Sequence, residues 1–125
     1  MSTSPPLTLG LDLDGCITDA PDFFRILSQV WPGDVIVVTY RRDRQKALDD
    51  LASYGIRYTE TILVDAFEKK AEVIADRGIG VYFDDQPEML KNVAPEVAVL
   101  LVRNEGNFDY DDRKWMLSDQ TGKLV

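Results

Sequence analysis

A regular alternation of short apolar runs with longer segments of helical periodicity constrains this chain more than any other feature. The runs are rich in Val, Ile and Leu, and most of the segments between them carry apolar residues every three or four positions. Strands that alternate with helices along a chain assemble into a parallel sheet covered on both faces. The sequence therefore predicts the α/β class, with one three-layer α/β/α domain over residues 1–125 and a five-stranded parallel sheet.

The predicted elements follow from this periodicity and from turn residues. Gly55 and Gly78 each follow a helical segment, where glycine commonly ends a helix. In the first helix Phe23, Leu27 and Val30 share one face, which is predicted to point into the core. The predicted strands span 7–13, 35–38, 61–64, 81–83 and 97–102, and the predicted helices span 22–31, 42–54, 66–77 and 87–92.

Composition limits the chemistry that the chain can perform. Hydrophobic residues make up 45% of the sequence, which is enough for one core. The chain has no histidine, which excludes Ser-His-Asp and Cys-His mechanisms. Cys16 is the only cysteine, which excludes an internal disulfide and a zinc site built from several thiolates. A net charge of −8 makes a nucleic-acid partner unfavourable.

Membrane association is not expected from the sequence. No run approaches the roughly 18 apolar residues of a membrane span. The first residues have neither the basic nor the apolar region of a signal peptide. These observations predict a cytoplasmic protein with no membrane partner.

Two acidic pairs stand where apolar runs stop. Asp12 and Asp14 follow the first predicted strand, and Asp84 and Asp85 follow the fourth. In an open α/β sheet, ligands bind at the carboxyl ends of the strands. Four carboxylates gathered there would repel one another unless a cation held them, and oxygen ligands favour Mg²⁺. The sequence therefore predicts a Mg²⁺ site formed by these four residues.

The same residues fall into four ordered motifs. A strand ending in Ser or Thr is matched by Thr39, a lysine on the helix before the fourth strand by Lys70 or Lys69, and a strand ending in two acids by Asp84 and Asp85. The first motif, Asp-x-Asp-Gly-x-x-Thr, is matched by Asp12-Leu13-Asp14-Gly15-Cys16-Ile17-Thr18. Together these motifs resemble those of the haloacid dehalogenase (HAD) superfamily, and the match extends over residues 7–85.

The resemblance implies a Rossmann-like, HAD-like core and a Mg²⁺-dependent phosphomonoester hydrolase. In such an enzyme Asp12 would attack phosphorus to form an aspartyl-phosphate, and Asp14 would act as acid and base. Thr39 and a lysine would complete the catalytic set by binding the phosphoryl oxygens. The family's spacing favours Lys70 over Lys69, and only one of the two can face the site because neighbouring helical residues point about 100° apart.

Further residues are expected to bind the substrate. Gly15 would let the chain turn so that backbone N–H groups face the phosphoryl oxygens, and Thr39 would donate its hydroxyl. Arg41 and Arg42 could bind a phosphate or carboxylate, although a solvated helix start explains them equally well.

The motif spacing leaves no room for the cap domain that most HAD proteins insert. The resemblance then implies an open site for a phosphorylated substrate, either a small molecule or a macromolecular end, or a homo-oligomer whose neighbouring subunit supplies a lid. One alternative is a catalytically idle HAD-like module that binds phosphate or protein. Another is a receiver-like phospho-accepting domain, which is disfavoured because Leu13 separates Asp12 from Asp14 and the fourth strand ends in Asp84 rather than Thr.

Overall fold

The sheet is built around strand β1 (Thr8–Leu11), which pairs in parallel with β2 (Val35–Tyr40) and β4 (Ile79–Asp84). The outer strands are β3 (Glu60–Val64), beside β2, and β5 (Ala98–Leu101), beside β4. The strand order is β3-β2-β1-β4-β5. This computed structural model describes residues 6–116, and it confirms the predicted α/β domain with a five-stranded parallel sheet.

Three α-helices connect the strands. They are α1 (Pro21–Val30), α2 (Arg44–Ser53) and α3 (Lys69–Asp76). The fourth predicted helix is only a 3-10 turn at Pro87–Leu90. Helix α2 begins two residues later than predicted because the Asp43 carboxylate accepts a hydrogen bond from the Lys46 N–H and caps the helix.

Beyond β5 the chain forms a hairpin that was not predicted. Its antiparallel strands are β6 (Phe108–Asp109) and β7 (Lys114–Trp115). Strands of two residues are too short to leave a periodic pattern in the sequence.

The core lies on both faces of the sheet because side chains alternate along each strand. On one face, Leu11 and Val37 pack with Phe24 of α1 and Leu51 of α2. On the other face, Val38 and Tyr82 pack with Ile74 of α3. Helices therefore cover both faces, as in a Rossmann-like three-layer fold.

The buried face of α1 differs in part from the prediction, because Leu27 packs against the core but Phe23 and Val30 are mostly exposed. Phe24 and Ser28 are buried, whereas Phe23 and Val30 are 54% and 69% exposed. Phe24 meets Phe83 edge to face, with ring centroids 5.3 Å apart. Ser28 can be buried because its hydroxyl donates to the Arg25 carbonyl and accepts from the Arg57 N–H. Packing against β4 and satisfied hydrogen bonds thus fix the rotation of α1 more strongly than apolar spacing does.

The connections between strands are short. The segments from Gly15 to Thr39 and from Thr39 to Lys70 hold only single helices and strands, so no inserted domain lies in them. Helices α1 and α2 have 10 residues each, about half of what a membrane span needs. None of the helices within residues 6–116 is long and apolar enough to cross a membrane.

Gly10, in the central strand, leaves space for a large aromatic ring. Gly10 pairs with Tyr82 across the sheet, and a Cβ atom on Gly10 would lie 2.6 Å from Tyr82 Cδ1 and 2.9 Å from Ile79 Cγ2. The missing side chain lets the buried Tyr82 ring lie over β1. Its hydroxyl then reaches Asp84 at the end of β4.

We expect Gly10→Ala to lower the free energy of unfolding by about 2–3 kcal/mol, the upper part of the range for overpacking, because an added methyl group would lie 2.6 Å from the Tyr82 ring. The comparison is Gly78→Ala, where no atom lies within 4 Å of a Cβ and only the left-handed φ of 63° is strained. That change should cost about 1 kcal/mol. Urea unfolding of the two variants measures the difference, and equal losses would contradict crowding at Gly10.

Candidate functional site

A buried ammonium group joins the carboxyl ends of the two strands that flank the sheet's switch point. Lys70 Nζ donates hydrogen bonds to Asp12 Oδ1 at 3.0 Å and to Asp84 Oδ2 at 2.8 Å. The three side chains are at most 5% exposed. Ligands of open α/β sheets bind at this position, where strands β1 and β4 lie side by side and their connections leave in opposite directions.

Backbone geometry places the three groups together. Asp12 directly follows β1, and its N–H donates to the Phe83 carbonyl of β4 at 3.0 Å. Asp84 is the last residue of β4, and Lys70 lies in the first turn of α3. Lys69 points elsewhere: it is exposed and pairs with Asp65. Of the two candidate lysines, the structure brings only Lys70 into the site.

Burial shifts the proton affinities of this cluster. Burial, together with the charge of Asp84, raises the pKa of Asp12 well above its usual value. Burial also raises the pKa of Asp85. For Lys70, burial alone would lower the pKa, but the charges and hydrogen bonds of Asp12 and Asp84 outweigh it and raise the pKa. Lys70 therefore stays charged, and the cluster would have an excess of two negative charges only when Asp12 and Asp85 are both ionised.

Asp84 is fully occupied by hydrogen bonds within the protein. Its Oδ2 atom accepts from Lys70 and from the Tyr82 hydroxyl, and its Oδ1 atom accepts from the N–H groups of Asp85 and Gln86. Two carboxylate oxygens offer about four acceptor positions, so none is left for a metal ion in this arrangement. Asp84 positions other groups here, although the sequence analysis predicted it as a metal ligand.

Another set of atoms is better arranged for a cation. One ligand atom each from Asp12, Cys16 and Asp85 lies within 4.8 Å of the other two, and all three residues are buried. Burial raises the pKa of the Cys16 thiol, and a thiol is a weaker ligand than a thiolate. The effective donors are therefore carboxylate oxygens, which fit a hard cation such as Mg²⁺. Of the four acids predicted to bind Mg²⁺, Asp12 and Asp85 are the two that this geometry supports as ligands.

Gly15 makes the turn after β1 possible. The backbone of the segment Leu13–Ile17 is kinked: Asp14 is extended, and Gly15 has a φ of 83°, a left-handed value that favours glycine. A Cβ atom here would overlap the Asp85 carboxylate. The Gly15 N–H donates to the Thr18 hydroxyl at 2.9 Å, so in this structure it serves the turn and is not free for a ligand.

Arg41 is held by two carboxylates. Its guanidinium donates to both oxygens of Asp14 at 2.8 and 2.7 Å, and to Asp50 at 2.7 Å. These hydrogen bonds raise the pKa of Arg41, and the same contact lowers the pKa of Asp50. Arg41 was predicted to bind the substrate and Asp14 to act as acid and base. In the structure the two side chains form an ion pair with each other. Arg42 lies exposed in the loop before α2.

Thr39 lies near the carboxyl end of β2 and is fully buried. Its hydroxyl has no hydrogen-bond partner within the described part of the chain. A buried hydroxyl without a partner is costly, so such groups call for an explanation. An oxygen atom of a bound ligand would supply the missing partner.

Two residues that the sequence analysis missed complete the site. The Asn104 side chain donates to Asp85 Oδ2 at 3.1 Å and to the Gly15 carbonyl at 2.7 Å. The Asn107 side chain donates to the carbonyls of Asp85 and Val102. Both lie in the polar segment after β5, and only their position after a fifth strand end could have indicated a role.

Comparison with known proteins gives a fold and no family. No protein-family model and no curated protein matches the chain. Among solved structures, the chain is similar to a universal stress protein in complex with cAMP. That similarity has a TM-score of 0.50 and 11% sequence identity, and it covers 80% of this chain and 100% of the other.

These findings correct the predicted identity. The assignment to the HAD superfamily is wrong, since no family model supports it and the matching fold is that of a universal stress protein. The prediction of a phosphatase, and of an enzyme acting through an aspartyl-phosphate on Asp12, is wrong for the same reason. The geometry is consistent with the correction: Asp14 is held by Arg41 and Asp84 has no free acceptor.

We expect Lys70→Met to lower the free energy of unfolding by roughly 3–5 kcal/mol, because it leaves two buried carboxylates without their counter-ion. The matched control is Lys69→Met on the same helix, which breaks an exposed pair with Asp65 and should cost less than about 1 kcal/mol. Urea unfolding at neutral pH without divalent cations measures both variants. Similar losses of unfolding free energy in Lys70→Met and Lys69→Met would show that the contacts of Lys70 with Asp12 and Asp84 stabilise the fold no more than an exposed ion pair does.

Proposed function

We propose that this chain is a binding domain for a phosphorylated small molecule, which it holds together with Mg²⁺ at the carboxyl edge of its sheet. The observation that carries the proposal is the buried cluster of Asp12, Asp84, Asp85 and Lys70. When ionised, three carboxylates and one ammonium leave two negative charges uncompensated. A divalent cation matches that charge.

Mg²⁺ would be held through Asp12 and Asp85, with water completing its shell. Bound there, the ion would supply positive charge for the oxygens of a phosphate group. Lys70 and Tyr82 would keep Asp84 in place, and Asn104 would orient Asp85. Asp12 and Asp85 would thus be held in place before the cation binds, Asp12 by Lys70 and Asp85 by Asp84 and Asn104.

Two further observations support a phosphorylated ligand. The hydroxyl of Thr39 lacks a partner at this same edge and could donate to a phosphate oxygen. The universal stress protein of similar fold was solved in complex with cAMP, a small molecule that carries a phosphate. A small ligand also suits a sheet edge where single helices connect the strands.

Adding Mg²⁺ should raise the melting temperature of the chain, because the ion relieves repulsion among buried carboxylates. At a concentration of 100 times Kd the stabilisation amounts to about 2.7 kcal/mol. Asp85→Asn should remove most of the shift, whereas Asp76→Asn, an exposed acid on α3, should keep it. Thermal unfolding with Mg²⁺ and with a chelator provides the measurement, and an unchanged shift in Asp85→Asn would sink the assignment.

Thr39→Val tests the phosphate half of the site. Replacing a buried hydroxyl that lacks a partner with a methyl group should keep or raise the free energy of unfolding, because the unpaired hydroxyl is removed. It should weaken the binding of phosphate compounds roughly tenfold, since one hydrogen bond to a charged group is lost. Thr61→Val is the matched control, because Thr61 also has a buried hydroxyl without a partner but lies near the amino end of β3.

Calorimetric titration of both threonine variants with inorganic phosphate and with cAMP, in Mg²⁺, would separate them. Weaker binding in Thr39→Val alone is the expected result. If Thr39→Val binds phosphate and cAMP as tightly as Thr61→Val does, or if only Thr61→Val binds more weakly, Thr39 does not belong to the site.

A further inference from the structure

An open cleft lies directly beside the acidic cluster. Its volume is about 460 Å³, enough for a small organic ligand. One wall comes from Asp19 and Ala20, which follow the turn after β1. The other comes from the segment after β5, chiefly Arg103, Asn104, Glu105 and Tyr110.

Aromatic side chains cluster at the β6–β7 hairpin, and one of them, Tyr110, lines this cleft. Phe108 contacts Tyr110 and Trp115 with ring centroids 5.0 and 5.3 Å away, and the Arg103 guanidinium lies 4.7 Å from the Phe108 ring. Tyr110 and Trp115 nevertheless remain 50% and 45% exposed. Exposed aromatic rings supported by other rings and by an arginine are suited to stacking on a flat partner.

The charged groups of the cleft narrow the choice of ligand. Asp19 and Glu105 are acidic and Arg103 is basic, so the lining has an excess of negative charge. Such a lining repels a second phosphate. It can accept hydrogen bonds from hydroxyl or amino groups, which makes an uncharged polar ring system the better occupant.

Asn104 connects the cleft with the acidic cluster. The residue lines the cleft, and its side chain donates to Asp85 and to the Gly15 carbonyl. A ligand with its phosphate at the cluster could therefore extend its remaining part past Asn104 into the cleft.

We infer that the cleft binds the nucleoside part of a nucleotide, with the base stacked on Tyr110 and the sugar hydroxyls donating to Asp19 or Glu105. This inference rests on the proposed function for the position of the phosphate, and it adds the class of ligand. Base stacking on one aromatic side chain is commonly worth about a tenfold or greater gain in affinity.

Titration of the full chain with AMP, ribose 5-phosphate and adenosine, each in Mg²⁺, tests the inference. AMP should bind at least about tenfold more tightly than ribose 5-phosphate. Tyr110→Ala should abolish this preference and leave ribose 5-phosphate unaffected, Tyr110→Phe should retain it, and Tyr58→Ala, in the loop between α2 and β3, should change nothing. The ratio of the two affinities, for AMP and for ribose 5-phosphate, is measured on the unchanged chain. It therefore tests whether the nucleobase contributes to binding even if Tyr110→Ala fails to fold.

The outcomes separate the two proposals. Equal affinity for AMP and ribose 5-phosphate would overturn the nucleoside cleft and leave the phosphate site standing. Binding of adenosine that depends on Tyr110, with no gain from a phosphate, would support the cleft and overturn the proposed function. Binding of none of the three compounds would overturn both.

Discussion

The rest of the site depends on one buried ammonium group. Strands β1 and β4 end side by side, so Asp12 and Asp84 are forced together by the register of the sheet. Two buried carboxylates at that separation are unfavourable without a counter-ion. Lys70 provides it from the first turn of α3, on the connection that leads from β3 into β4. The sheet, the helix and the polar cluster are thus fixed by the same contact.

Within this cluster the acids divide into two kinds. Asp84 is satisfied by four hydrogen-bond donors and acts as part of the scaffold. Asp12 and Asp85 keep unused acceptor capacity, and burial raises the pKa of both. A buried carboxylate whose acceptor positions are only partly used attracts a proton or a cation. Which of these acids can bind a cation therefore depends more on their hydrogen bonds within the protein than on their closeness to one another.

Much of the fold could be predicted because strand and helix periodicities are local properties of the sequence. The strand ends that carry Asp12, Thr39 and Asp84 could be predicted for the same reason. The face of α1 could not, because packing of Phe24 on Phe83 determines it. Nor could the pairing of Arg41 with Asp14, which are 27 residues apart in the chain. The family assignment failed because four short motifs constrain strand ends, and many α/β proteins place polar residues there.

The hydrogen bonds of Asn104 and Asn107 have a consequence for how this site could change over evolution. Both amides bind groups of Asp85 or of the turn after β1, so the segment after β5 cannot shift without disturbing the acidic cluster. Arg103 and Glu105 flank one of these fixed points, are exposed, and line the cleft. Related chains could therefore alter ligand preference by exchanging such exposed residues while the two asparagines keep the frame constant. Within this short segment, residues that fix the backbone thus alternate with exposed residues that are free to vary.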